Sequence, residues 1–341
     1  MKKLFLSLVA AIVAATATYA QNTLVATLSH GENVTMYYGT YALRDAHNAA
    51  VSGDVINLSG GGFQPVDITK AVTIRGTGIN ADVPTSILSR ITIKIPSTDA
   101  NRFSMEGIRC NGGLSMIGSF ENPYFLKCWF TTVNDYNNYY NSSAIKNALF
   151  VNCRITDISA SSFSGSTTVQ FVNSYVSSFS PNSSPTQASF INCVVRPADG
   201  YYASSLSNCQ FLNCIFYNNT SRQANSLPST SIATNCIAIN DGNVMSSLFN
   251  NSQVNPNCGF AVYSQVFKDF TGGYSDSQTF ELTDEAKTTY LGNDGTEVGM
   301  YGGVMPYTDI PSYPQITKMN VANKTTADGK LSVEIEVSAA E

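Results

Sequence analysis

Apolar and polar positions recur in one fixed pattern through the middle of this 341-residue chain. An aromatic residue is followed three positions on by cysteine and five positions on by a second apolar residue, with asparagine just before the cysteine. The copies are FLKCWF from Phe125, FVNCRI from Phe150, FVNSYV from Phe171, FINCVV from Phe190 and FLNCIF from Phe211, with weaker ones at ATNCIA from Ala233 and NPNCGF from Asn255. The cysteine column reads Cys128, Cys153, Ser174, Cys193, Cys214, Cys236 and Cys258, in steps of 25, 21, 19, 21, 22 and 22 residues. Self-similarity at so even a period is the mark of a solenoid.

Strand alternation turns the cysteine and the later apolar column (Phe130, Ile155, Val176, Val195, Phe216, Ala238, Phe260) inward together. The column between them (Trp129, Arg154, Tyr175, Val194, Ile215, Ile237, Gly259) then points outward. Phenylalanine and cysteine are an odd number of residues apart, so both face inward only if alternation breaks between them. The break falls at asparagine, which tolerates a left-handed backbone and bonds its own main chain. Each copy therefore predicts a strand, a one-residue bend and a second strand. About 22 residues per coil leave room for a third strand and a loop, with coils stacked about 4.8 Å apart.

These residues resemble the right-handed parallel β-helix (pectin-lyase-like) architecture of secreted bacterial proteins, with its ladder of asparagines at the tight turn. The resemblance implies an all-β, single-stranded right-handed parallel β-helix solenoid with an N-terminal helical cap. Stacked neighbours keep Cβ atoms at about the coil spacing, beyond the 3.5–4.5 Å or so of a disulfide. The cysteines are thus expected to be buried, unbridged thiols. A metal site is not expected, since no C-x-x-C occurs and only His30 and His47 are present.

The ends follow their own logic. Residues 42–51 predict a helix with Leu43, Ala46, His47 and Ala50 on one face, covering the open end of the first coil as secreted β-helices begin. DVINL from Asp54 and VTIRGTG from Val72 predict strands, and SGGG from Ser59 a turn. The glycine-rich Gly292–Gly303 resembles a closing coil, with Asp294 and Glu297 read as outward turn carboxylates. Pro306–Pro314 predicts a linker, and the alternation in KLSVEIEVSAAE from Lys330 predicts one strand with a buried face, packed back on the solenoid. The expected divisions are a leader at 1–20, a cap at 21–66, a β-helix at 67–303 and a C-terminal linker with strand at 304–341.

Residues 1–20 join two lysines, a short apolar run and a terminal TYA, a secretory signal cleaved after Ala20. The expected location is extracellular, cell-surface or periplasmic. No lipid anchor through cysteine is expected, because the first cysteine is Cys110. Charged residues are 13% of the chain, against about 25% in an ordinary soluble domain. The net charge of −5 argues against nucleic acid as a partner. No cofactor and no metal are implied, and a monomer is expected.

The resemblance makes a polysaccharide lyase or glycoside hydrolase an open alternative, and such hydrolysis needs two carboxyl groups about 5–9.5 Å apart. Between residues 122 and 267 the acids are Asp135, Asp157, Asp199 and Asp241, one per coil and without the family's acidic clusters. Asp135 and Asp157, with Arg154 and Arg196, are the catalytic candidates if the protein is an enzyme. A binding face has more residues behind it. Trp129, Arg154 and Tyr175 stand on three successive coils, and the following loops carry Tyr136, Tyr139, Tyr140, Tyr201 and Tyr202 on the same side. Aromatic rings stacked on sugar faces suit a glycan. The reading is an exported, non-catalytic protein that presents an extended face to a glycan or cell surface; a purely structural or adhesive role is the third possibility.

Overall fold

A computed structural model describes residues 24–134, 146–158, 168–179, 187–197, 206–217, 225–241, 245–250, 257–269, 278–321, 324–326, 328–330 and 332–338. The chain is a parallel β-solenoid. Its first sheet has eleven strands, the outermost two being an antiparallel N-terminal pair, Val25–His30 and Asn33–Tyr38. The other nine run parallel in chain order from Val55–Leu58 to Ile232–Thr234. A second sheet of ten parallel strands runs from Gly61–Phe63 to Gly259–Ala261, and a third of four spans Asp67–Ile68 to Val133–Asn134.

The bend between first and second sheets lies where the repeat predicts it. Asn152, Asn173, Asn192, Asn213, Asn235 and Asn257 have φ between 47° and 60°. Lys127 and Gly107 hold the same place in two earlier coils, at 52° and 67°. Asparagine is the residue with a Cβ that accepts this conformation most readily. Its amide bonds either the neighbouring asparagine, as Asn257 Nδ2 does to Asn235 Oδ1 at 2.9 Å, or a distant carbonyl, as Asn152 Nδ2 does to Pro306 O at 3.3 Å. The phenylalanine column is in exact register across Phe125, Phe150, Phe171, Phe190 and Phe211. Their rings stack with centroids 4.6, 5.2, 4.9 and 4.8 Å apart.

The cysteine column is unbridged and, from Cys128 to Cys236, buried; Cys258 at its end is half-buried. Each thiol from Cys128 to Cys236 lies against two carbonyls, as Cys193 Sγ does at 3.3 Å from both Ile191 O and Phe171 O. Ser174 shows why serine replaces cysteine there: its hydroxyl meets the equivalent Val172 O at 2.8 Å and Phe150 O at 3.5 Å. The column selects a small side chain with one proton to donate.

The N-terminal cap helix is Ala42–Ala49, with Ala42, Leu43, Ala46 and His47 buried and Ala50 already extended. Its C-terminal carbonyls are closed by Lys70, whose Nζ donates to His47 O (2.9 Å), Asn48 O (2.8 Å) and Ala50 O (2.7 Å). A cation at a helix C-terminus meets both orphan carbonyls and the helix dipole. SGGG is not a turn. Gly61–Phe63 starts the second sheet against Thr85–Ile87, and side chains at Gly60, Gly61 and Gly62 would strike Val83, Leu24 and Leu88. The glycines are there because the neighbouring chain is too close for a Cβ.

The C-terminal part departs most from expectation. Gly292–Gly303 is not a coil: residues 290–313 form a strap that runs back along the row of bends, against the direction of stacking. Asn213 O accepts from Gly299 N, Asn152 Nδ2 donates to Pro306 O, Lys127 Nζ to Ile310 O, and Ser312 N and Oγ donate to Glu106 Oε1, at 2.8, 3.3, 2.6, 2.6 and 2.6 Å. The terminal strand does not pack on the solenoid either. Val333–Ser338 pairs antiparallel with Gln315–Val321 in a separate two-stranded sheet, and Val333, Ile335 and Val337 are 49–59% exposed.

Candidate functional site

The outward column of the second sheet keeps its predicted register, Trp129 beside Arg154 beside Tyr175 beside Val194. It is not an open face. Trp129, Arg154 and Tyr175 are only 8%, 4% and 0% exposed. The reason is a second apolar core on the outside of this sheet, built from Tyr175, Val194, Ile215, Tyr217 and Ile237 against Tyr263, Phe267, Phe280, Leu282, Val298 and Tyr307. Phe280 stacks on Tyr175 at 4.8 Å, and the Tyr175 and Tyr217 hydroxyls meet at 3.0 Å. Arg154 donates from Nε to Tyr307 Oη (3.0 Å) and from Nη2 to Gln278 O (2.7 Å). Arg109 covers Trp129, its guanidinium 4.5 Å from the ring centroid. A column that is outward from the sheet need not be outward from the molecule: residues 263–307 supply the cover from Arg154 onward, and Arg109 covers Trp129.

The other candidates divide in two. Asp135, Tyr136, Tyr139, Tyr140, Tyr201 and Tyr202 lie outside the described residues. Asp157 is half-buried, and burial pushes its carboxyl above the ordinary range. Arg196 donates from Nη1 to Ser177 Oγ at 3.3 Å, one coil back on the same sheet. Among the described residues no group of three or more His, Cys, Asp or Glu is placed to hold a metal. His47 belongs to the cap: Nε2 accepts from Thr69 N at 3.2 Å, and burial, then Lys70, lower its pKa to about 4.

The open extended face is on the first sheet. Just before each inward phenylalanine, an outward row runs through Ser104, Tyr124, Leu149, Gln170, Ser189, Gln210 and Ile232, adjacent strand to adjacent strand. Two residues earlier lies a parallel polar row: Arg102, Asn122, Asn147, Thr168, Gln187, Asn208 and Thr230. Between the rows lie two depressions of about 280 and 480 Å³ that share Thr168 and Gln170 and so form one trough along the solenoid. The six coil steps from Ser104 to Ile232 make it about 29 Å long.

Side-chain bonds fix part of the trough wall. Asn147 Nδ2 donates to Asn122 Oδ1 (3.1 Å), and Thr168 Oγ1 donates to Asn147 Oδ1 (2.6 Å). Among the described residues Arg102 is the one charged residue lining either depression, and its guanidinium stacks on Tyr124 at 4.4 Å. A third, smaller depression continues past Arg102 and Asn122 to Asp99 and Glu121. The repeat held the signal for this face, in the amide-rich columns before each phenylalanine.

No family model matches this chain, and no curated protein matches it. Among the described residues no helix is long and apolar enough to cross a membrane.

Proposed function

We propose that the protein is an exported, non-catalytic β-helix that holds an extended glycan of a surface or matrix along its outer side. The observation that supports this is the continuous trough on the first sheet, a straight row of polar side chains repeated at the coil spacing on a scaffold whose core is stacked phenylalanine. A long, repetitive ligand is what a long, repetitive surface can bind with many weak contacts in series. The leader at residues 1–20 puts the protein where such polymers are. Closure of the Trp129–Tyr175 stripe favours a second reading, a structural or adhesive role without a glycan.

The test is co-sedimentation of protein beginning at Gln21 with insoluble polysaccharides and isolated cell envelopes. Retention on at least one of them is expected. Protein that stays in the supernatant with every polymer would overturn glycan binding and leave the structural reading in its place.

A further inference from the structure

We infer that the first-sheet trough is specific for an uncharged, unbranched polysaccharide lying parallel to the solenoid axis, read by Gln170, Gln187 and Gln210. This rests on the glycan-binding reading above and deepens it.

The chemistry of the lining leads there. Strands inside the first sheet are bonded to neighbours on both sides, so a ligand on this face meets side chains rather than main-chain edges. That disfavours an added peptide strand, whose affinity comes from backbone pairing at a sheet edge. Gln170, Gln187 and Gln210 are exposed and make no side-chain bond among the described residues. Each carries two donors and an acceptor. Such amides, with Thr168, Ser189 and Asn208 between them, match hydroxyl groups, which also donate and accept.

Spacing supports a sugar chain. Successive coils place equivalent residues about 4.8 Å apart, close to the length of one pyranose unit, so each coil can meet one unit over the trough. Leu149 and Ile232 interrupt the polar row with apolar surface on which a sugar face can rest. Branches would meet the flanking row on one side.

Charge decides between neutral and acidic polymers. The trough offers a single cation, Arg102, and that side chain is already engaged with Asn122 O at 3.0 Å and with the Tyr124 ring. Beyond it the depression carries Asp99, and Glu121, whose charge is met by Lys146 at 2.6 Å, so among the described residues no free cation is added there. A polyanion would enter a protein of net charge −5 with no row of cations to meet it.

Affinity gels cast with linear mixed-linkage β-glucan, galactomannan, linear dextran or polygalacturonate would test this, using protein from Gln21 onward and the variants Gln170→Ala/Gln210→Ala and Ser189→Trp. All three positions are on the outer face, and circular dichroism checks that the variants fold. Retardation by a neutral linear polymer is expected, with none by polygalacturonate and less by the branched galactomannan, and with affinity reduced about tenfold or more in the double variant and lost in Ser189→Trp; galactomannan retarding most would overturn the unbranched ligand. Oligosaccharides of the retarding polymer should gain affinity with length up to about six units, the number of coil steps in the trough. Retardation that neither variant weakens would overturn the trough as the site while glycan binding stands. Retardation by polygalacturonate alone would overturn the neutral ligand. If no polymer retards the protein, the glycan reading itself fails, and this inference with it.

Discussion

Asn173 and Met300 lie 127 positions apart in the chain and 2.8 Å apart in the fold, joined by a bond from Asn173 Nδ2 to Met300 O. The same nitrogen donates to Gly302 O at 2.7 Å. The bend asparagine thus does two jobs: its backbone turns the coil at a φ of 47°, and its amide holds the strap. Asn173→Ala should lower stability by about 3 kcal/mol, from left-handed strain and from the buried Gly302 O left without a donor, Met300 O keeping its bond from Tyr307 N. Asn173→Gly relieves the strain alone and should recover only part of the loss. Denaturant midpoints would measure both, and a glycine variant as stable as wild type would show that the strap contact adds nothing.

Trp129 is the single tryptophan, so its fluorescence reports directly on the covered face. Buried beneath Arg109, it should emit at short wavelength and be quenched only weakly by acrylamide in the native protein. Arg109→Ala should raise the quenching, because it removes the guanidinium that lies 4.5 Å from the ring centroid. Strong quenching in the wild type would restore the open aromatic face read from the sequence.

The buried thiols should not react with an aromatic disulfide reagent until the protein unfolds. Burial raises the thiol of Cys153 to about 12, with the Cys110 and Cys209 thiols raised as well, so little thiolate exists at pH 8. Half-buried Cys258 should react ahead of the rest. Cys193→Ser should cost little, since Ser174 fills the equivalent place, and Cys193→Val should cost about 1 kcal/mol more through loss of the donor. Rapid modification of four or more thiols in native protein would contradict the packed column.

His47 makes stability depend on pH in mild acid. Its pKa is lowered from 6.5 to about 4, so the unfolded chain binds the extra proton between these values. Stability should be complete above pH 6.5 and fall as pH drops toward 4, by up to about 3 kcal/mol from this group. His47→Gln, which can still accept from Thr69 N, should flatten that part of the profile. An unchanged slope would place the dependence elsewhere. Lys70→Met, tested at pH 7, should cost about 2 kcal/mol by leaving the helix carbonyls His47 O, Asn48 O and Ala50 O without their donor.

The core could be read from the repeat because stacking makes each column one-dimensional: Phe125 predicts Phe150, which predicts Phe171. The bend at asparagine followed from counting alone, an odd interval between two inward residues. The exposure of Tyr175 could not be read in this way, because its cover comes from Phe280 and Tyr307, far along the chain and outside the repeat. The coil before Phe125 was hidden for another reason: Gly107 replaces asparagine and Met105 replaces phenylalanine, so the geometry persists where the signature has gone.

The claim at the centre of this account is binding of a glycan without cleavage. Overnight incubation of protein from Gln21 onward with the neutral polymer that retards it, followed by size-exclusion chromatography with light scattering, measures both at once. Protein eluting with polymer of unchanged mass is expected. A fall in polymer mass would contradict it and turn attention to Asp157, Arg196 and Asp135.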